Sequence, residues 1–426
     1  MLFSLLVEQI IGITDTAFLG HVGEVELGAS AIAGVCYLIM FVTGSGFGMG
    51  LQVLIARLNG EKNKEEITAI FSTGLYFLIF MAFVIILSSR FALPSLLHHI
   101  IKSEDIYSAA IAYLDWRIYG LVFSFIIIAF RSYYVGITRT KILSVCSVVM
   151  VSVNIVCNYI LVFGKYGFPE LGIRGAAIGS TIAEFSAVLL FLIHYRVTGN
   201  GRLFEPVSFV RKQWNELKRI LNLSMWTMLQ SFLSLASWLV FFIIIEHIGE
   251  RALSISNIVR SISAVPFMLV QSFAYTGSSL VGNLIGEGKG DMVMKLCWKI
   301  IKVCYLFCIP LLIAGFIFPG LLIKIYTDNV ILEQESVLPL YVMLSAVVMS
   351  VPASVYYCAI SGTGNTFVTL EIGLAALVVY VVYIEILAWL APDVSLLWTS
   401  EHIYAVVLFI FSVIYMLSGK WKHKKI

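Results

Sequence analysis

The chain reads as an all-α integral membrane protein: about 12 transmembrane helices in two six-helix bundles, related by a pseudo-two-fold axis along the membrane normal. Three observations lead there. Of 426 residues, 60% are hydrophobic and only 12% are charged, about half the ~25% of a soluble chain. Apolar runs near the ~20 residues that cross a bilayer recur along the whole length. The two halves also repeat one another at a fixed offset.

The runs place spans at about 1–22, 31–57, 67–91, 108–134, 141–163 and 172–197. A polar linker follows at 198–216, and then spans at 217–248, 254–282, 293–318, 337–361, 366–391 and 400–419. The domains are therefore an N-lobe (1–197), a cytoplasmic linker (198–216), and a C-lobe with a basic tail (217–426). With both termini in the cytoplasm, twenty of the 28 Lys and Arg fall on the inner side, as the positive-inside rule requires. Arg131 is counted inside and Arg117 outside. This is the profile of a multi-pass protein of the cell inner membrane. A net charge of +3 gives no reason to expect nucleic acid.

Gly23, Gly60 and Gly136 recur as Gly249, Gly286 and Gly362, each 226 residues later, as do Leu27, Ser30, Phe41, Phe47 and Glu61. An even number of spans per repeat gives both halves one orientation, which suits a transporter. The seven cysteines lie in apolar runs without metal-ligand spacing, so packing is their reading, including Cys304 and Cys308. Glu8 and Asp15 within the first apolar segment argue against a cleaved leader. Pro266, Pro310 and Pro352 fall inside spans of the second half, where none is expected in the first. Trp116, Trp389 and Trp398 near span ends read as interfacial anchors.

The segments DTAFLGHVGEVELGASAIAG, GMGLQVLIARLNGEKN, NIVCNYILVFG and FPELGIRGAAIGSTIAE resemble the multidrug and toxic compound extrusion (MATE) transporters over essentially the whole chain. The family's opening proline would fall before Met1. The resemblance implies alternating access by two lobes, and export of organic cations or other amphipathic compounds against an inward H⁺ or Na⁺ gradient. No other cofactor is implied. Partners would be small amphipathic or cationic substrates and membrane lipid, with the chain acting as a monomer. A flippase of a lipid-linked precursor, from the wider superfamily, is the alternative; it would call for a more basic cavity. An enzyme would need paired acidic or His motifs at a membrane face, and the sequence offers none.

Ionisable groups at mid-membrane are expensive and normally have a task. Asp15 sits in the outer half of the first span; removal from water disfavours its charged form, which suits proton exchange, and its oxygens also suit Na⁺. The family motif places a coupling aspartate here. Asn154 and Asn158 share a face of the fifth span; archaeal-type members often carry an aspartate at the latter position. Ser180 matches the family's hydroxyl most nearly, with Thr181 equally placed. Glu184 stands near the middle of the sixth span. The expected coupling set is thus Asp15, Asn154, Asn158, Ser180 and Glu184, with a Na⁺ site at Asp15, Asn154 and Asn158. Glu8 lies on the Asp15 face, seven residues earlier; Glu8, Thr181, Gln230 and Glu385 are candidate cavity-lining residues. In the second half Phe241 replaces Asp15, which confines coupling to the N-lobe.

Overall fold

The computed structural model describes residues 1–198, 210–327 and 329–423, so most of the expected linker lies outside the described residues. Every long element is helical. In order they are α1 (Leu2–Val22), α2 (Glu24–Gly60), α3 (Lys64–Ile100), α4 (Glu104–Arg117), α5 (Gly120–Gly136), α6 (Lys141–Phe163) and α7 (Ile173–Val197). Then come α8 (Val210–Ile248), α9 (Glu250–Gly286), α10 (Val293–Ile317), α11 (Pro319–Ile323), α12 (Val330–Gly362), α13 (Thr366–Leu390), α14 (Val394–Leu397) and α15 (Ser400–Leu417). Among the described residues eleven helices are long and apolar enough to span a membrane, and the bent pair α4–α5 makes up to 12. The expected fourth span is therefore broken, with a 50° bend between Arg117 and Gly120.

Several helices outrun the apolar windows because their ends are polar and capped. Asn63 accepts from the Glu66 amide and donates to the Glu66 carboxylate at 2.7 Å, opening α3. Asn329 accepts from the amides of Ile331 and Leu332 and opens α12 the same way. The extension of α3 to Ile100 encloses Pro94, so the first half does carry a helical proline. The second half holds Pro266, Pro310, Pro339 and Pro352 within helices.

The chain divides into two compact units, residues 3–228 and 229–426, and the division falls inside α8. The first part of α8 belongs to unit 1 because its hydroxyls hold the glycine-rich stretch of α2. Ser224 Oγ donates to Phe47 O at 3.0 Å and Thr227 Oγ1 to Gly46 O at 2.7 Å, the small-residue packing that brings membrane helices together. One core of unit 1 joins α1, α2, α3, α4 and α7 through Leu19, Ala33, Leu97, Leu114 and Ala177. At another place Phe71, Phe130, Tyr133, Phe191 and Tyr195 stack, with the Phe130 and Phe191 rings 5.3 Å apart. In unit 2 Trp398 is fully buried, its ring 4.6 Å from Phe241; it is a core residue, unlike the exposed Trp116 and Trp389.

The 226-residue repeat reappears as geometry. Helices α2 and α9 are both 37 residues long and begin and end at matched positions. A Cβ on Gly136 would press on Ile55 and Ala56 of α2, and one on Gly362 would overlap the Ser278 backbone of α9. The same glycine thus permits a close helix approach in each unit. Two residues beyond, the chain turns left-handed in both: Thr138 at φ 59° and Gly364 at φ 85°. That conformation is strained for a β-branched residue and free for glycine.

Thr138→Gly should therefore stabilise unit 1 by about 1 kcal/mol, whereas Gly362→Val should destabilise unit 2 by about 2 kcal/mol or more. Thermal unfolding of the detergent-solubilised protein checks both signs.

Candidate functional site

On α1 the hydroxyls of Thr14 and Thr16 turn back to their own helix, donating to Ile10 O and Gly12 O. Asp15 between them reaches instead to α6 and α7. Asn158 Nδ2 donates to Asp15 Oδ1 at 2.5 Å, and Ser180 Oγ donates to Oδ2 at 3.1 Å. Asn154 Nδ2 donates to Ser180 Oγ at 3.0 Å, and Asn158 Nδ2 also reaches Asn154 Oδ1 at 3.4 Å. The two asparagines are completely buried and Asp15 is half-buried. Asn154 and Asn158 meet because they stand four apart on α6. Gly179 lets them in: a Cβ there would collide with Asn158 Oδ1. That oxygen is buried and has no hydrogen-bond partner.

Asp15, Asn154, Asn158 and Ser180 therefore form one cluster. Each hydrogen bond to the Asp15 carboxylate comes from a neutral donor, and donors lined up along Asn154, Ser180 and Asp15 polarise one another. Thr181 stays outside the cluster, donating to Ala177 O at 2.9 Å on its own helix.

Glu184, one turn along the Ser180 face of α7, is not part of this cluster. Arg117 holds it bidentately, Nη1 to Oε2 at 3.0 Å and Nη2 to Oε1 at 2.6 Å. Ser124 Oγ donates to Oε1 at 2.8 Å, and Tyr37 places its hydroxyl 3.4 Å away while its ring lies 3.9 Å from the guanidinium. Arg117, expected among outer-side charges, is thus an interior residue at the α4–α5 bend. Gly120 makes room, since a Cβ there would overlap Arg117 Nη1 and Glu184 Oε2. The sequence reading missed this arginine. Its signal was a lone cation inside an apolar run, which needs an acid within reach.

Glu8 is likewise spoken for. Arg131 Nη2 donates to both of its oxygens at 2.5 and 2.6 Å, and Ser147 Oγ adds a third bond at 2.8 Å. The group borders an opening of about 230 Å³ lined by Ile127, Leu143, Met150 and Phe191. The remaining candidates lie in unit 2. Gln230 is half-buried on α8, and Glu385 is exposed on α13. All seven cysteines are free thiols, with the Cys304 and Cys308 sulfurs 3.8 Å apart. Among the described residues no group of three His, Cys, Asp or Glu side chains could hold a metal.

Repeated helical units that span a membrane, with one carboxylate left to neutral partners inside a bundle, define a multi-pass secondary transporter. A family model described as MatE matches residues 1–160 and 227–386, and the chain belongs to that family. It is 24% identical over 99% of its length, and 91% of the relative's, to a probable multidrug resistance protein NorM of Thermotoga maritima. It is 26% identical to the multidrug resistance protein NorM of Vibrio cholerae, over 65% of this chain and 60% of that one. Among solved structures, a multidrug resistance MATE family transporter in an outward-facing conformation superposes with a TM-score of 0.89 at 15% identity, over 99% of this chain and 94% of the other. A MOP superfamily transporter from Pyrococcus furiosus gives 0.88 at 16% identity, covering 100% and 95%.

The buried Arg117–Glu184 pair sets a stability test. Arg117→Leu strands the carboxylate and should cost about 3–5 kcal/mol, and the double substitution Arg117→Leu/Glu184→Leu should recover most of it. Melting temperatures of the three proteins in detergent decide the matter. Equal losses in the single and the double variant would mean that the stranded Glu184 carboxylate adds no cost of its own.

Proposed function

We propose that the chain is a secondary active antiporter of the inner membrane. It exports organic cations or other amphipathic small molecules by alternating access of its two lobes, as a monomer with both termini in the cytoplasm. The inward ion is a proton, and Asp15 is where it exchanges. The observation that carries this reading is that, among the described residues, Asp15 is the interior carboxylate of unit 1 to which no arginine is bonded.

The donor set favours a proton over Na⁺. Both Asp15 oxygens receive hydrogen bonds, and the Asn158 amide turns its NH₂ and not its oxygen toward the carboxylate, an arrangement that serves an anion or a proton rather than a cation. Protonation reverses the local logic. A neutral carboxyl must donate one bond, and the network as it stands offers it only donors. If the proton sits on Oδ1, the Asn158 amide must turn to present its unpartnered oxygen. If it sits on Oδ2, the Ser180 hydroxyl must turn its own proton away and accept on its second lone pair, beside the bond from Asn154. Either change shifts α1 against α6 and α7. Coupling then requires that substrate bind the two arrangements with different affinity. The flippase alternative is disfavoured because Arg117 and Arg131 inside unit 1 are both committed to acids.

Vesicles carrying the wild type or Asp15→Asn, loaded with a fluorescent organic cation, test this under separate pH and Na⁺ gradients. The pH gradient should drive transport by the wild type, and Asp15→Asn should lose it by tenfold or more. Transport driven by Na⁺ alone would replace the proton in this scheme. No transport by the wild type under either gradient would shift weight to the flippase.

A further inference from the structure

Unit 2 contains a carboxylate that nothing above employs. Glu401 lies in the first turn of α15 and is only 9% exposed. Among the described residues its carboxylate takes one hydrogen bond, from the Tyr380 hydroxyl of α13, which donates to Oε1 at 3.2 Å. Among the described residues no lysine or arginine pairs with it. The groups around it are phenolic. Tyr404, one turn along α15, stacks edge-on to Tyr380 with ring centroids 5.7 Å apart and lies near enough to Glu401 and to Tyr275 of α9 for their charges to act on it. Tyr357 of α12 adjoins Tyr404, and its hydroxyl is buried without a partner against Gly373. Cys358 completes the α12 side. The neighbouring His402 is engaged elsewhere, its Nε2 2.9 Å from Ser345 Oγ.

This environment is balanced. Burial without a cation disfavours the carboxylate. The hydrogen bond from the Tyr380 hydroxyl favours it. A carboxyl held between such opposed influences is one that exchanges a proton, whereas Glu8 and Glu184 are fixed as anions by their arginines. We propose that Glu401 is a second proton-binding carboxyl of the chain, housed in unit 2, so that each unit contributes one exchangeable proton to the transport cycle. The proposal rests on the antiporter reading for its role in transport, and extends coupling beyond the N-lobe, where the sequence confines it. The proton moves between Glu401 Oε2 and water, and no other bond is made or broken.

Infrared difference spectra of the full-length protein in lipid, recorded across a pH titration, read the carboxyl C=O stretch directly. Glu401→Gln should abolish one pH-dependent band and Asp15→Asn a different one. In proteoliposomes Glu401→Gln should also lower the protons exchanged per substrate by one. Should Glu401→Gln fail to fold, Tyr380→Phe retains the ring and removes that donor, and it should move the pH midpoint of the Glu401 band. Spectra of Glu401→Gln identical to wild type, or a midpoint untouched by Tyr380→Phe, would overturn the proposal while leaving Asp15 coupling intact. A wild type that transports under neither gradient would defeat the antiporter reading, and the band assignment would still decide whether Glu401 binds a proton.

Discussion

An ionised carboxylate inside a membrane bundle must be offset by a cation or surrender its charge to a proton. That constraint sorts the interior acids of this chain. Glu184 and Glu8 take the first course, each held by an arginine on both oxygens or through both nitrogens. They behave as structural dipoles that tie the α4–α5 bend to α7, and α1 to α5 and α6. Asp15 and Glu401 take the other course, surrounded by amides and hydroxyls that neither neutralise them nor let them ionise without cost. Fixed pairs and exchangeable groups thus stand within the same bundle, and the arginines are what distinguish them.

The two units share scaffolding more closely than chemistry. Matched helix lengths, matched glycines at close helix contacts and matched left-handed residues past the helix ends all recur at 226 residues. The position of Asp15 does not: in unit 2 it is Phe241, packed against a buried tryptophan whose ring is tilted by 55°. Glu401 stands one turn beyond that tryptophan on α15. The repeat therefore preserves what sets helix spacing, where a single methyl group would force backbones apart, and it leaves polar substitutions free to differ. Function is asymmetric because close approach constrains shape more tightly than charge.

How much of this the sequence made legible follows from the range of each interaction. Span positions, the repeat and the Asn154–Asn158 face depend on local periodicity, and they were readable. Ser180 could be narrowed only to itself or Thr181, because adjacent residues on a helix point about 100° apart and nothing local says which faces α1. The arginine pairs join residues 67 and 123 positions apart, a separation that no spacing rule reaches. Helix starts ran ahead of the apolar windows where a side chain caps them, as Asn63 does for α3, and α3 also runs on past Pro94 to Ile100, beyond the apolar window that ended at residue 91. Glu401 escaped notice for a related reason. It begins a helix at the edge of an apolar run, where an acid ordinarily reads as a solvated first-turn residue, and only the folded neighbours Tyr380 and Tyr404 bury it.

Arg117 also lies close enough to Asp15 for its charge to act there, which raises the question of why it does not simply pair with it. Two guanidinium nitrogens are already engaged by Glu184 in near-ideal bidentate geometry, with the Tyr37 ring across the guanidinium face. Release toward Asp15 would strand Glu184 in a buried site. What Asp15 then experiences is closer to a dipole than to a free cation, because the negative end of the pair travels with the positive end. A free cation would lock Asp15 in its charged form and end its capacity to exchange. The ion pair leaves a field weak enough for a single proton to decide the state of the cluster, and Gly120, by admitting both partners at the bend, maintains that condition.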